Sequence, residues 1–241
     1  MQLKNSDEFL YRDGENEGSL KWLYDRRTQG VVTSSLAVLL AMRGEFDRAR
    51  RLAGEAQALL ADLGPTVVGA STSLETAWVE RLAGDLSAAE RELRRDYGSL
   101  SQLGERYFLS TVAGELARIV YAQGRLDEAD QLSRQAQELA DDDDIASQTL
   151  WRTVQAKVLA RKGNRDGALI LIGEAVDLLT PTDAVSAQAE TLVDLADVLR
   201  NSGRRKDADD VLGDAVKLFE LKGNLVAVEA LRAPEAAAYF M

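Results

Sequence analysis

Residues 116–140 read LARIVYAQGRLDEADQLSRQAQELA. An apolar-striped stretch runs into Gly124, and a second one begins at once. The same arrangement returns along the chain. Gly44, Gly84, Gly124, Gly163 and Gly203 are spaced by 40, 40, 39 and 40 residues. Five residues after each glycine stands an alanine: Ala49, Ala89, Ala129, Ala168, Ala208. Seven residues before each stands another: Ala37, Ala77, Ala117, Ala156, Ala196. Twelve residues after, the chain has Ala56, Asp96, Ala136, Ala175 and Ala215, with Asp96 the one exception. Columns locked to a glycine at a fixed period are the mark of a repeat architecture.

Each column has a physical reason. Before the last turn, Leu192, Leu195, Ala196 and Leu199 fall on one face of a helix, and after it Ala208, Val211, Leu212, Ala215 and Phe219 do the same. Each unit therefore reads as helix A, a sharp turn, helix B. The glycine accepts the left-handed conformation that ends helix A. Asp85 and Asn164 follow directly as caps for helix B. The alanines mark where two helices approach so closely that a larger side chain would force them apart.

Helix A segments are expected near 31–43, 66–83, 106–123, 146–162 and 184–202, and helix B segments near 46–62, 86–102, 126–140, 165–179 and 205–221. The joints carry breakers: LGPT at 63–66, DDDD at 141–144 and LTPTD at 179–183. One hairpin cannot bury its apolar face alone, but stacked neighbours can. The expected fold is all-α, a right-handed α-solenoid of five hairpins with the A helices lining its inner wall. Its units span about 31–65, 66–105, 106–144, 145–183 and 184–223. Residues 1–30 form an N-terminal extension, with RDGENEG at 12–18 as a loop and SLKWLYDRR at 19–27 as a candidate capping helix. Residues 224–241 supply a half-unit, LVAVEALRA, that covers the open end, and a tail.

The bulk composition agrees. Of 241 residues, 46% are hydrophobic and only 6% aromatic, and there are three prolines, which favours helices over sheets. The net charge of −11 makes nucleic acid and anionic lipid poor partners. Without Cys or His the chain lacks thiol nucleophiles, disulfides and the commonest zinc ligand. The start, MQLKNSDEF, has no signal-peptide pattern, and the most apolar run, VVTSSLAVLLAM at 31–42, is too short to cross a bilayer. A cytoplasmic location is expected.

The form G-x-[FL]-x-x-A, as in GEFDRA, GDLSAA and GRLDEA, resembles the turn of tetratricopeptide repeats, and the alanine columns match that family's small-residue positions. The resemblance covers about residues 31–223. It departs in period, 40 rather than about 34. The family's large helix A aromatics are mostly missing. Arg165 and Arg205 replace the apolar turn residue and Asp96 replaces an alanine, so repeats two, four and five are expected to pack less tightly. More narrowly, LSTVAGELARIVYAQGRLDEA, WRTVQAKVLARKG, DLADVLRNSGRRKDA and ELKGN, in that order, resemble the C-terminal repeats of bacterial proteins that carry cyclase and AAA-type ATPase domains. The phosphate-binding motif G-x-x-x-x-G-K-[ST] of such ATPases is absent from this sequence.

The resemblance implies a ligand groove along the inner wall, six and three residues before each glycine. Those positions hold Val38 and Ala41, Trp78 and Arg81, Arg118 and Tyr121, Lys157 and Ala160, and Asp197 and Arg200, with Arg161 also turned inward. The candidate groove set is therefore Trp78, Arg81, Arg118, Tyr121, Lys157, Arg161 and Arg200. A basic column inside an acidic chain suits an acidic or carboxylate-bearing peptide, since guanidinium forks match carboxylates. The bland alternative is that these cations are solvated or paired within the stack, with Trp78 in the packing. Asp141–Asp144 lacks the alternation and turn glycine of a calcium loop and reads as a solvated joint with a helix cap. Trp22 and Trp151 read as packing residues at unit boundaries. The apolar tail AAAYFM at 236–241 either folds on the last hairpin or docks on a partner or second copy, which leaves a homo-oligomer open. No catalytic residues, cofactor or metal are expected. The functional expectation is a non-enzymatic protein–protein interaction scaffold or regulatory module of a bacterial signalling system. The alternative is a sensor binding a small anion in the same groove.

Overall fold

The glycine-marked turns fall where the period puts them. The computed structural model describes residues 16–62 and 73–233, with side chains from residue 25 onward. Among these residues every regular element is an α-helix. The first hairpin is α1 (Asn16–Met42) with α2 (Phe46–Ala61), and the second is α3 (Ser73–Leu82) with α4 (Leu86–Leu103). The third pairs α5 (Tyr107–Ala122) with α6 (Leu126–Leu139), and the fourth α7 (Ile145–Arg161) with α8 (Arg165–Leu179). The fifth is α9 (Val185–Asn201) with α10 (Arg205–Lys222), followed by a half-unit, α11 (Leu225–Arg232).

Gly44, Gly84, Gly124, Gly163 and Gly203 have φ of 81°, 79°, 81°, 88° and 84°, the left-handed region where a side chain is strained. At Gly124 the amides of Gly124 and Arg125 close back on the carbonyls of Tyr121 and Val120, at 2.8 and 3.1 Å. Asp85 accepts from the Ala88 amide at 2.8 Å, and Asn164 from the Gly167 amide at 3.1 Å, the two expected caps. Asp144, last of the aspartate run, caps α7 through the Ser147 amide.

Between the A and B helices runs a spine of small residues. Ala37, Ala117, Ala156, Ala196 and the whole column from Ala49 to Ala208 have no exposed surface, and Ala77 has 4%. The looser packing expected in repeats two, four and five is not seen at these positions. Asp96 is buried with the alanines because its carboxylate serves another helix: Oδ2 accepts the backbone N–H of Ser73, first residue of α3, at 2.7 Å. A buried helix start needs such an acceptor. Burial pushes the Asp96 carboxyl up to about 6. Trp151 packs with Ala113 and Ala136 across a unit boundary, as expected. Arg152 stacks on the Trp151 ring at 4.0 Å and donates to Glu174 of α8.

Among the described residues the helix expected at 19–27 is continuous with helix A of the first unit: α1 runs unbroken from Asn16 to Met42. Residues 16–18, expected in a loop, are its first helical positions. Gly30 lets α1 and α2 touch: a Cβ there would lie 2.5 Å from Leu60 Cγ. The expectations for residues 1–15, the Trp22 side chain, the joint around Pro65 and the tail at 236–241 lie outside the described residues.

At the other end α11 follows the fifth hairpin. Ala227 and Val228 join the core of the fifth hairpin. Val226 instead packs against the first hairpin's cluster, with Cγ2 3.7 Å from where a Cβ on Gly44 would stand. The stack therefore curls until its last helix meets its first turn.

Candidate functional site

Curling brings the inner faces of α3, α5, α7 and α9 together. Six of the seven predicted groove residues converge there, and three carboxylates of α9 meet them. Glu190, Asp194 and Asp197 are spaced by four and three residues, so they stand on one helix face. Glu190 accepts from Trp78 Nε1 at 3.0 Å, from Arg81 at 2.5 Å and from Arg118 at 2.6 Å. Asp194 accepts from Lys157 Nζ at 2.6 Å and lies 3.4 Å from the second Arg118 nitrogen. Asp197 accepts from the Tyr121 hydroxyl at 2.7 Å, with Arg161 at 3.9 Å. Asn201 holds the Asp197 carboxylate from below at 2.8 Å. The seventh residue, Arg200, turns away to Asp209 of α10 at 3.2 Å.

This ladder is dry. Lys157 is 2% exposed, Asp194 3% and Arg118 8%. The aliphatic and aromatic parts stack around the charges, with Lys157 Nζ 4.5 Å from the Tyr121 ring centre and Arg81 5.9 Å from that of Trp78. Burial disfavours an ionised Glu190, but Arg81 and Arg118 outweigh it and hold that carboxyl well below its usual range. Burial also opposes the Arg118 charge, and Glu115, Asp194 and Glu190 raise its pKa instead. The Tyr121 hydroxyl is pushed up by burial and by the Asp197 charge, which keeps it a donor. Such buried pairs add little net stability against an apolar core, yet removing one member strands its partner.

Sequence reasoning placed the cations and passed over Glu190 and Asp194. A signal existed: three acids in one helical register on an A helix, one of them, Asp197, already in the groove column. Beside Trp78 a cavity of about 310 Å³ opens between α3, α5 and α9. Its walls are Leu74, Ala77, Leu93 and Ile119, with Glu75, Glu115 and Glu190 as its acids. Burial, with the Asp96 charge adding to it, raises the Glu75 carboxyl. Among the described residues no group of acids could hold a metal ion, and no helix is long and apolar enough to cross a membrane.

The fold defines a class, and comparison with known structures agrees on it. The tetratricopeptide repeat family model matches residues 30–55. No curated protein matches the sequence. BtubC (BKLC) from P. vanneervenii is similar in structure, with a TM-score of 0.58 at 15% identity over 91% of this chain and 93% of that one. A putative kinesin light chain from Podosopora anserina with nearly identical TPR-like repeats gives 0.52 at 19% identity, over 81% and 97%. Pseudomonas aeruginosa pilF gives 0.53 at 14% identity, over 86% and 90%. The chain has an all-α solenoid fold of TPR-like helical repeats. Folds of this kind generally mediate protein–protein interaction and are typically non-enzymatic.

Proposed function

We propose that this chain is a non-enzymatic protein–protein interaction scaffold or regulatory module of a cytoplasmic, bacterial signalling system, and that its inner wall recognises an acidic helical segment. The observation that carries the reading is the ladder itself. Trp78, Arg81, Arg118, Tyr121, Lys157 and Arg161 grip three carboxylates at i, i+4 and i+7 on α9. A partner helix with the same acidic spacing offers the same acceptors, so it exchanges with α9 rather than entering an empty groove. Charge-assisted bonds to a desolvated carboxylate give such recognition its selectivity. The resemblance to repeats of bacterial signalling proteins supports the setting. The peptide reading is preferred to the small-anion sensor because the cavity beside Trp78 sets three acids, Glu75, Glu115 and Glu190, against a single cation, Arg81.

The test supplies α9 in trans. A labelled peptide of residues 185–201 is titrated into wild type and into the triple variant Glu190→Gln, Asp194→Asn, Asp197→Asn, with circular dichroism confirming that the variant stays helical. Salt-sensitive binding to the triple variant is expected, weaker in wild type and lost when Arg118→Glu is added. A helical triple variant that ignores the peptide sinks the reading.

A further inference from the structure

We propose that α1 pairs antiparallel with α1 of a second copy of this chain, along a seam made by Asp25, Gln29, Val32, Leu36, Leu39 and Arg43. The evidence begins with a comparison of columns. The positions twelve, eight and five residues before the turn glycine are Val112, Leu116 and Ile119 in the third repeat, at 0, 1 and 1% exposure. In the fourth they are Trp151, Gln155 and Val158, at 6, 9 and 1%. There the preceding hairpin covers them. In the first repeat the same columns hold Val32, Leu36 and Leu39, at 61, 46 and 52%. This face is built to pack against another helix, and none of the described residues covers it. Scattered exposed apolar residues are ordinary, but three in register on one helix mark an interaction surface.

Its chemistry points to a second copy. All six seam residues are exposed, at spacings of four, three, four, three and four, the register of two helices packed side by side. The centre is apolar and the ends carry opposite charge, Asp25 at one and Arg43 at the other. A two-fold axis through the centre sets each Val32 against the partner's Leu36, each Gln29 against the partner's Leu39, where the amide's aliphatic stem meets the leucine, and each Asp25 against the partner's Arg43. The stripe is thus complementary to itself in the antiparallel sense only, the condition for a closed two-fold interface. The length of α1, 27 residues against 10 to 18 for α2 to α10, carries Asp25 and Gln29 beyond where the first A helix was expected to start.

The experiment is sedimentation equilibrium on the full chain over a range of concentrations, followed by variants. Wild type should approach about twice the 26.3 kDa chain mass. Leu36→Glu places a charge in the apolar seam and should raise the dimer dissociation constant by at least about tenfold with unchanged helical circular dichroism. Asp25→Arg alone should weaken the dimer, and Asp25→Arg with Arg43→Asp should restore it, because each copy then offers the exchanged partner. A chain that is monomeric at every concentration overturns the proposal and leaves this face to a different helix pair. So does a dimer indifferent to Leu36→Glu, or one that the double charge exchange fails to rescue. Peptide binding at the inner wall is unaffected by these changes, so the two readings fail separately.

Discussion

Ala117 and Arg118 are neighbours on α5 and serve opposite designs. Ala117 has no exposed surface and lies in a column that repeats five times, between helices of its own hairpin. Arg118 occurs once, and it reaches Glu190, 72 residues away. The spine is local, apolar and periodic; the ladder is long-range, ionic and single. The spine specifies that hairpins form. The ladder specifies how far the stack of hairpins curls. Small apolar contacts tolerate a range of curvatures, whereas a buried carboxylate must meet its cation or bear the full cost of desolvation.

The largest expected effect comes from breaking the ladder. Arg118→Ala leaves Glu190 and Asp194 short of a buried cation and should lower unfolding stability by about 3–5 kcal/mol in urea titration. Small-angle scattering should also show a wider particle, because the charges that fix curvature are stranded. In the spine, Ala117→Leu should cost about 1–3 kcal/mol by overpacking, with no change in curvature beyond the local hairpin. If the leucine variant opens the particle and the Arg118 variant does not, the division of labour is wrong. Gly124→Ala comes next, at about 1–2 kcal/mol, since it forces a side chain into left-handed backbone.

The smallest effect concerns Asp96, where the two designs meet in one residue. Its folded carboxyl titrates at about 6, above its unfolded value of 3.8. The stability linked to its protonation is thus fully present below about pH 3.8 and is lost as pH rises to about 6. Asp96→Asn keeps an oxygen for the Ser73 amide and should remove that slope. At neutral pH the net change should stay within about 0.5–1.5 kcal/mol. An unaltered pH–stability curve in the asparagine variant would show that Asp96 does not feel its burial.

Much of the spine was legible because it is periodic. Gly124 and Ala117 announce themselves through their counterparts in the other units, and the physics of each column is the same every time. The groove cations were legible as positions, through the column that holds Arg118 and Tyr121. What they bind was not. Pairing Trp78 with Glu190 requires knowing that repeats two and five face each other, and that distance is an accumulation of small rotations between units. The continuity of α1 through Gly30 was hidden for a related reason. A glycine inside a helical run reads as a breaker until Leu60 is seen packed against its bare Cα.

The meeting of Val226 with the turn at Gly44 bears on how this molecule comes apart. Open repeat arrays behave as one-dimensional chains that fray from either terminus, each unit leaning only on its neighbours. Here the last helix braces the first hairpin, so neither end is a free starting point for unzipping. Amide exchange should accordingly report one cooperative block rather than a gradient of protection, and cutting away α11 should restore the gradient, beginning at the first hairpin.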